Sequence, residues 1–84
     1  SAEADAWPTW VTTPCDDQLL AFTRQYHNSQ VIVLLNFSSQ AVTLASGDLG
    51  IRGKFDDLFT GETLDWNNSA AITLKPYDYL IGVS

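Results

Sequence analysis

Apolar residues fall in short segments of strand length along the chain, either alternating with polar residues or in a continuous run, and this pattern predicts an all-β protein. They alternate along residues 18–26, which is the period of a half-buried strand. Residues 30–36 are almost continuously apolar and rich in β-branched side chains, which predicts a central strand covered on both faces. Residues 27–29 favour a tight turn. The two segments are therefore predicted to form an antiparallel hairpin.

The rest of the chain continues as short strand-like segments separated by Gly, Asn, Ser and Pro. These segments lie at residues 40–45, 54–59, 62–64, 70–75 and 77–83. No segment keeps the apolar period of a helix. About seven to eight short strands with turns between them are typical of an antiparallel two-sheet β-sandwich of Greek-key type. We therefore predict that fold class.

The 84 residues are enough for one domain. Residues 1–16 are predicted to be an irregular lead-in segment, because Pro8 and Pro14 interrupt regular strand pairing. Residues 17–84 are predicted to form the sandwich domain. Cys15 is the only cysteine, so packing and not an internal disulfide must stabilise the fold.

The charge of the chain bears on which partners it can bind. Four Lys and Arg residues face ten Asp and Glu residues, for a net charge of −6. Such a surface repels phosphate backbones and anionic lipid, so we expect neither nucleic acid nor membrane as a partner. No apolar run has the length needed to cross a bilayer. No basic-then-apolar leader opens the sequence, and the sequence points to no particular compartment.

No set of residues suited to catalysis or metal binding can be recognised. The nearest carboxylate cluster is Asp56, Asp57, Glu62 and Asp65, which flanks a predicted hairpin turn and is expected to be a solvated edge. Asp65, Asn67 and Asn68 offer side-chain oxygens, but they lack the calcium-loop pattern. Cysteine and histidine are too few for zinc. We predict no catalytic residue, no metal site and no cofactor.

Four stretches, in this order, resemble a known family. They read Leu20-Ala-Phe-Thr-Arg24, Val31-Ile-Val-Leu-Leu-Asn-Phe-Ser38, Asp57-Leu-Phe-Thr-Gly61 and Leu74-Lys-Pro-Tyr-Asp-Tyr-Leu80. Together they are similar to the C-terminal β-sandwich, or domain C, of the α-amylase family of glycoside hydrolases. Within the second stretch, Asn36 ends an apolar strand and is suited to bonding backbone groups where the chain turns.

This resemblance implies a function for the chain and a partner. The implied role is that of a non-catalytic C-terminal domain of an α-amylase-family glycosidase or transglycosidase that acts on α-glucans or related sugars. The domain would pack on a catalytic (β/α)8 barrel of the same parent chain and stabilise it, while the barrel carries the catalytic residues.

The alternative is a carbohydrate-binding module that grips an α-glucan with exposed tryptophan side chains. The candidates are Trp66, beside a predicted turn, and Trp7 and Trp10 in the lead-in segment. Large apolar rings that are exposed in a single domain are more often part of an interface with another domain. The sequence leaves both readings open.

Overall fold

The computed structural model describes residues 9–11, 13, 17–67 and 71–84. Eight strands and a short 3-10 helix, Ser46–Leu49, make up this part of the chain. The strands are β1 Thr9–Trp10, β2 Leu19–Tyr26, β3 Ser29–Asn36, β4 Val42–Ala45, β5 Lys54–Asp57, β6 Thr63–Asp65, β7 Ala71–Leu74 and β8 Tyr79–Val83. The prediction of an all-β chain is confirmed.

The strands form two antiparallel sheets, as predicted for a sandwich. The large sheet has six strands in the order β1-β2-β3-β8-β5-β6, and the small sheet pairs β4 with β7. The predicted hairpin is confirmed, since β2 and β3 pair along their whole length from Leu19 with Asn36 to Tyr26 with Ser29. The chain reverses there over two residues, the first of which, His27, adopts a positive φ of 50°.

The core lies between the two sheets. Alternate residues of β2 and β3 face it, and β4 and β7 cover it from the other side. Its buried apolar members are Leu19, Ala21, Ile32, Leu34, Val42, Leu44, Leu49, Ile51, Phe55, Trp66, Ile72 and Leu74. The small sheet therefore covers one face of the large sheet, which we call the inner face.

The central strand β3 departs in part from the prediction that both of its faces are covered. Ile32 and Leu34 on the inner face are fully buried, whereas Val31, Val33 and Leu35 on the opposite face are only half-buried. The reason is that β4 and β7 lie on the inner side alone. The apolar character of the second face is left without cover from the described strands.

The lead-in segment contains a strand that its sequence pattern does not predict. Thr9 pairs with Thr23 and Trp10 with Phe22, which adds β1 to the edge of the large sheet. The pairing continues through a hydrogen bond of 3.0 Å from the Val11 N–H to the carbonyl of Ala21. Residues 1–8, 12 and 14–16, with Trp7 and Cys15 among them, lie outside the described residues, and the boundary at residue 16 stays a prediction. Within the described residues no helix has the length and apolar character to cross a membrane.

Candidate functional site

Trp66 is part of the core. Its side chain is 2% exposed, and its ring lies 5.3 Å from that of Phe55 at 48°. Its backbone N–H donates to the carbonyl of Gly53 over 2.8 Å. It also lines a depression of about 170 Å³ beside Arg52, but its ring face is not accessible. The structure thus corrects the expectation that Trp66 offers an exposed ring to a sugar, because that ring is buried against Phe55.

Trp10, in contrast, is 63% exposed on the edge strand β1. Its ring contacts that of Phe22 edge-to-face, with 5.3 Å between centroids. Because Trp10 and Phe22 are cross-strand partners, they lie on the same side of the sheet, away from the inner face. Trp7 lies outside the described residues.

The side of the large sheet that carries Trp10 is apolar over four neighbouring strands. We call it the outer face. Its cross-strand rows follow from the register: one row runs Leu20, Leu35, Tyr79, and the next runs Trp10, Phe22, Val33, Ile81. The third row begins with Arg24 on β2, passes Val31 and Val83, and ends with Asp56 on β5. Charged side chains thus lie at the two ends of the third row, and the other two rows are apolar or aromatic.

The exposed fractions of these side chains show that the outer face meets solvent in this structure. Leu20 is 38% exposed and Tyr79 is 49% exposed, while Leu35, which lies between them in the row, is half-buried. The outer side of the small sheet is different, since it presents Thr43 and Thr73, whose hydroxyls are 3.0 Å apart. An apolar surface on one side of a sandwich and a polar one on the other is typical of a domain with a partner on its apolar side.

A second feature lies where β8 begins, next to the turn that follows β5. A depression of about 410 Å³ opens there, and its lining residues are Asp57, Phe59, Thr60, Thr73, Leu74, Asp78, Tyr79 and Leu80. The Phe59 and Tyr79 rings stand nearly perpendicular at 84°, with centroids 5.4 Å apart. Phe59 is 62% exposed. The two rings form one wall of a cleft that is open to solvent and lined by both polar and apolar side chains.

The carboxylates near this turn hold the backbone. Oδ1 of Asp57 accepts hydrogen bonds from the N–H groups of Phe59 and Thr60 over 2.8 and 3.0 Å. Oδ1 of Asp56 accepts from the hydroxyl of Thr63 over 2.9 Å. These bonds fix the hairpin geometry, which is the ordinary role of Asp in turns. The described residues contain no cluster of three or more His, Cys, Asp or Glu side chains that could hold a metal ion.

Sequence reasoning missed Phe59 and Tyr79, which the fold brings together from the turn after β5 and the start of β8. The sequence does contain a signal for the outer face. Residues 31–35 and 79–83 are apolar at both odd and even positions, a pattern typical of strands covered on both sides. One small sheet can cover only one of those sides.

Comparison with known families decides the assignment. The family model described as "Maltogenic Amylase, C-terminal domain" matches residues 11–81. The chain belongs to this family. The match covers most of the described strands, so the resemblance to domain C of the α-amylase family is confirmed. No curated protein matches the chain.

Solved structures share the fold of this C-terminal domain. AmyP in complex with maltose is 18% identical, with a TM-score of 0.75 over 98% of this chain and 17% of that one. A variant of AmyP in complex with maltotriose is 19% identical, with a TM-score of 0.71 over 98% of this chain and 17% of that one. A variant of a GH27 β-L-arabinopyranosidase from Geobacillus stearothermophilus, in complex with arabinose, is 23% identical, with a TM-score of 0.66 over 92% of this chain and 19% of that one. The chain spans less than a fifth of the length of these proteins.

Proposed function

We propose that this domain serves as a docked, non-catalytic support for the catalytic barrel of an α-amylase-family parent enzyme that acts on α-glucans or related sugars. The single observation that carries the proposal is the apolar outer face. It extends over β1, β2, β3 and β8, and Arg24 and Asp56 lie at the two ends of its third cross-strand row. An apolar centre with a polar border is the anatomy of a domain interface.

The family assignment supports a role beside a catalytic domain. The chain matches a family of amylase C-terminal domains, and the solved proteins with this fold are about five to six times as long. Glycoside hydrolysis needs two carboxyl groups that face each other across a cleft that holds the sugar. Asp56 and Asp57 are neighbours in β5, and bonds from nearby backbone and hydroxyl groups engage both of them in the hairpin. These carboxylates have a folding role.

The outer face is preferred over the small sheet as the docking surface because of its chemistry. Burial of its aliphatic and aromatic side chains would contribute about 25 cal/mol for each Å² removed from water. Thr43 and Thr73 on the small sheet already bond to each other, so burial of that side would gain little. Trp10 and Phe22 would supply aromatic anchors at the edge of the docked surface, a role in which such residues are enriched.

The experiment compares one variant in two settings. Val33→Lys places a charge in the middle of the outer face, where the side chain is half-buried in this chain. In the 84-residue chain we expect a small drop in Tm. In the full-length parent enzyme we expect a much larger drop and faster thermal inactivation, because the lysine would be buried against the barrel.

Thr43→Lys is the matched control, since it adds the same charge to an exposed strand position on the small sheet. It should affect the chain and the parent enzyme to the same small extent. Equal effects of Val33→Lys and Thr43→Lys in the parent enzyme would show that the barrel does not dock on the outer face.

The alternative function, α-glucan binding by exposed tryptophans, now rests on Trp10 and Trp7, since the ring of Trp66 is buried. Trp10 has the exposure that sugar stacking requires. However, it lies in a row with Phe22, Val33 and Ile81, and a continuous apolar row fits a protein partner better than a sugar. Trp10→Ala should therefore weaken barrel docking and leave affinity for maltotriose unchanged. Loss of that affinity would favour the binding-module function.

A further inference from the structure

We infer that the cleft between Phe59 and Tyr79 is a binding site for a neutral saccharide. This inference goes beyond the docking role, because it concerns a separate feature at the end of the sandwich. The cleft has a volume of about 410 Å³, within the roughly 300–1,000 Å³ range of small-molecule sites. It combines two aromatic rings with carboxylate and hydroxyl oxygens, and each type of group has a defined use in holding a sugar.

The aromatic wall offers an accessible ring to the apolar C–H face of a pyranose. Phe59 is 62% exposed and lies in the turn after β5, outside both strands of the hairpin. The edge of one ring meets the face of the other at 84°, so Phe59 and Tyr79 hold each other in place. A ring that is both exposed and fixed loses little conformational freedom when a ligand stacks on it.

The polar wall offers acceptors for sugar hydroxyl groups. Asp57 and Asp78 each use Oδ1 to accept from nearby backbone N–H groups, at 2.8 Å for both Phe59 and Tyr79. Among the described residues, Oδ2 of these two carboxylates has no hydrogen-bond partner. A bond from a hydroxyl to a carboxylate is about twice as strong as one between neutral groups. The backbone bonds therefore orient the carboxylates, and the second oxygens remain for a ligand.

The charge of the cleft selects against other ligand classes. Among the described residues, two carboxylates and no basic side chain line it, which disfavours phosphates and other anions. Neither carboxylate belongs to a cluster of three acidic, His or Cys side chains among the described residues, which disfavours a metal ion. A neutral saccharide with one apolar face can stack on the aromatic rings and donate hydrogen bonds to the carboxylates at the same time.

The cleft shares only Tyr79 with the three rows of the outer face, and its other described lining residues lie outside those rows. Tyr79 is the first residue of β8, and Phe59, Thr60 and Asp78 belong to the turns at that end of the sheet. The centre of the outer face, at Val33 and Ile81, does not line the cleft. Barrel docking is therefore tested with Val33→Lys and sugar binding with Phe59→Ala, so each proposal can fail without the other.

The test is a titration of the ¹⁵N-labelled 84-residue chain with maltotriose and, separately, with cellotriose, followed by amide chemical shifts. We expect saturable shifts of Phe59, Thr60 and Tyr79 with at least one of the two sugars, with a dissociation constant in the millimolar range. Phe59→Ala should weaken binding about tenfold by removing the stacking ring. Leu58→Ala is the matched control, since Leu58 is 59% exposed in the same turn and does not line the cleft.

Three results would overturn the inference. One is the absence of saturable shifts with both sugars at tens of millimolar. Another is binding that Phe59→Ala and Leu58→Ala weaken to the same extent. The third is a set of shifts centred on Trp10, which would place sugar on the edge strand instead. Unfolding of a variant is detected in the same spectra, so loss of binding is scored only where the dispersed amide pattern is retained.

Discussion

The side-chain amide of Asn36 donates a hydrogen bond of 3.2 Å to the backbone carbonyl of Leu74 and so joins the two sheets. Asn36 is the last residue of β3 and Leu74 the last of β7, in the opposite sheet. The carbonyls of Lys75, at 2.9 Å, and Gln40, at 2.7 Å, accept from the same amide, so its two hydrogens are shared among three carbonyls. Oδ1 accepts from the N–H and hydroxyl of Ser38. A single fully buried side chain thus connects three segments.

Replacement of Asn36 should be among the most destabilising changes in the domain. Asn36→Ala leaves carbonyls of β7 and of the 37–41 turn without their donor in a buried place, which we expect to cost about 3 kcal/mol. Asn36→Asp keeps the shape but not the donors, and it should be at least as damaging. Urea unfolding followed by circular dichroism measures both.

Gln40→Ala is the control for this pair. Gln40 takes part in the network through its backbone carbonyl and N–H, which Gln40→Ala keeps, and its exposed side chain accepts a long bond of 3.4 Å from Gln18. A change within about 0.5 kcal/mol is expected. If Gln40→Ala and Asn36→Ala unfolded at the same urea concentration, the stabilising role of the Asn36 amide would be refuted.

Gly82 is a second position where the structure predicts a clear loss of stability. A Cβ there would lie 3.1 Å from Cγ2 of Ile32 and 3.1 Å from Cβ of Phe55, both of them core residues. Gly82→Ala should therefore cost about 1–3 kcal/mol through overpacking of the core. The midpoint of thermal or urea unfolding reports the change.

Substitutions at Gly50 test the effect of backbone strain alone, without steric crowding. It has a φ of 67° and nothing within 4 Å of its added Cβ. Gly50→Asn should be better tolerated than Gly50→Ala, because Asn adopts this conformation more readily. At Gly82 the larger Asn should instead be worse than Ala. The opposite order at Gly82 would mean that crowding against Phe55 is not the cause.

The two described tryptophans should respond differently to truncation. Trp66→Ala removes a core ring beside Phe55 and is expected to cost about 3–5 kcal/mol, enough to unfold much of a small domain. Trp10→Ala removes an exposed ring on an edge strand and should cost about 1 kcal/mol. Near-UV circular dichroism and urea unfolding distinguish them. A folded Trp66→Ala variant with unchanged stability would contradict the core placement.

Asp57 offers a conservative test of the turn that carries Phe59. Asp57→Ala removes the acceptor of two backbone N–H groups and should cost about 1 kcal/mol. Asp57→Asn keeps a side-chain oxygen for those bonds and should be close to neutral. Both changes are measured by urea unfolding. Equal losses in Asp57→Ala and Asp57→Asn would show that the charge of Asp57, and not its acceptor, stabilises the turn.

The sequence predicts the local elements well because each depends on neighbouring residues. The alternation along β2 and the turn at residues 27–29 specify the hairpin without reference to the rest of the chain. Asn36 was expected to bond the backbone where the chain turns, and its bonds to Ser38 and Gln40 confirm this. Its bonds to Leu74 and Lys75 could not be predicted, because those carbonyls come from a strand 38 or 39 residues away.

What the sequence determined by itself is the fold class and the succession of short strands along the chain, since apolar period and turn residues are local properties, and the family, which four short stretches indicate. Only the tertiary structure decided which rings are accessible. Trp66 was buried against Phe55, and Phe59 was brought to Tyr79. The physical reason is that burial and side-chain contact depend on which strands lie opposite each other, and that pairing joins residues far apart in the sequence.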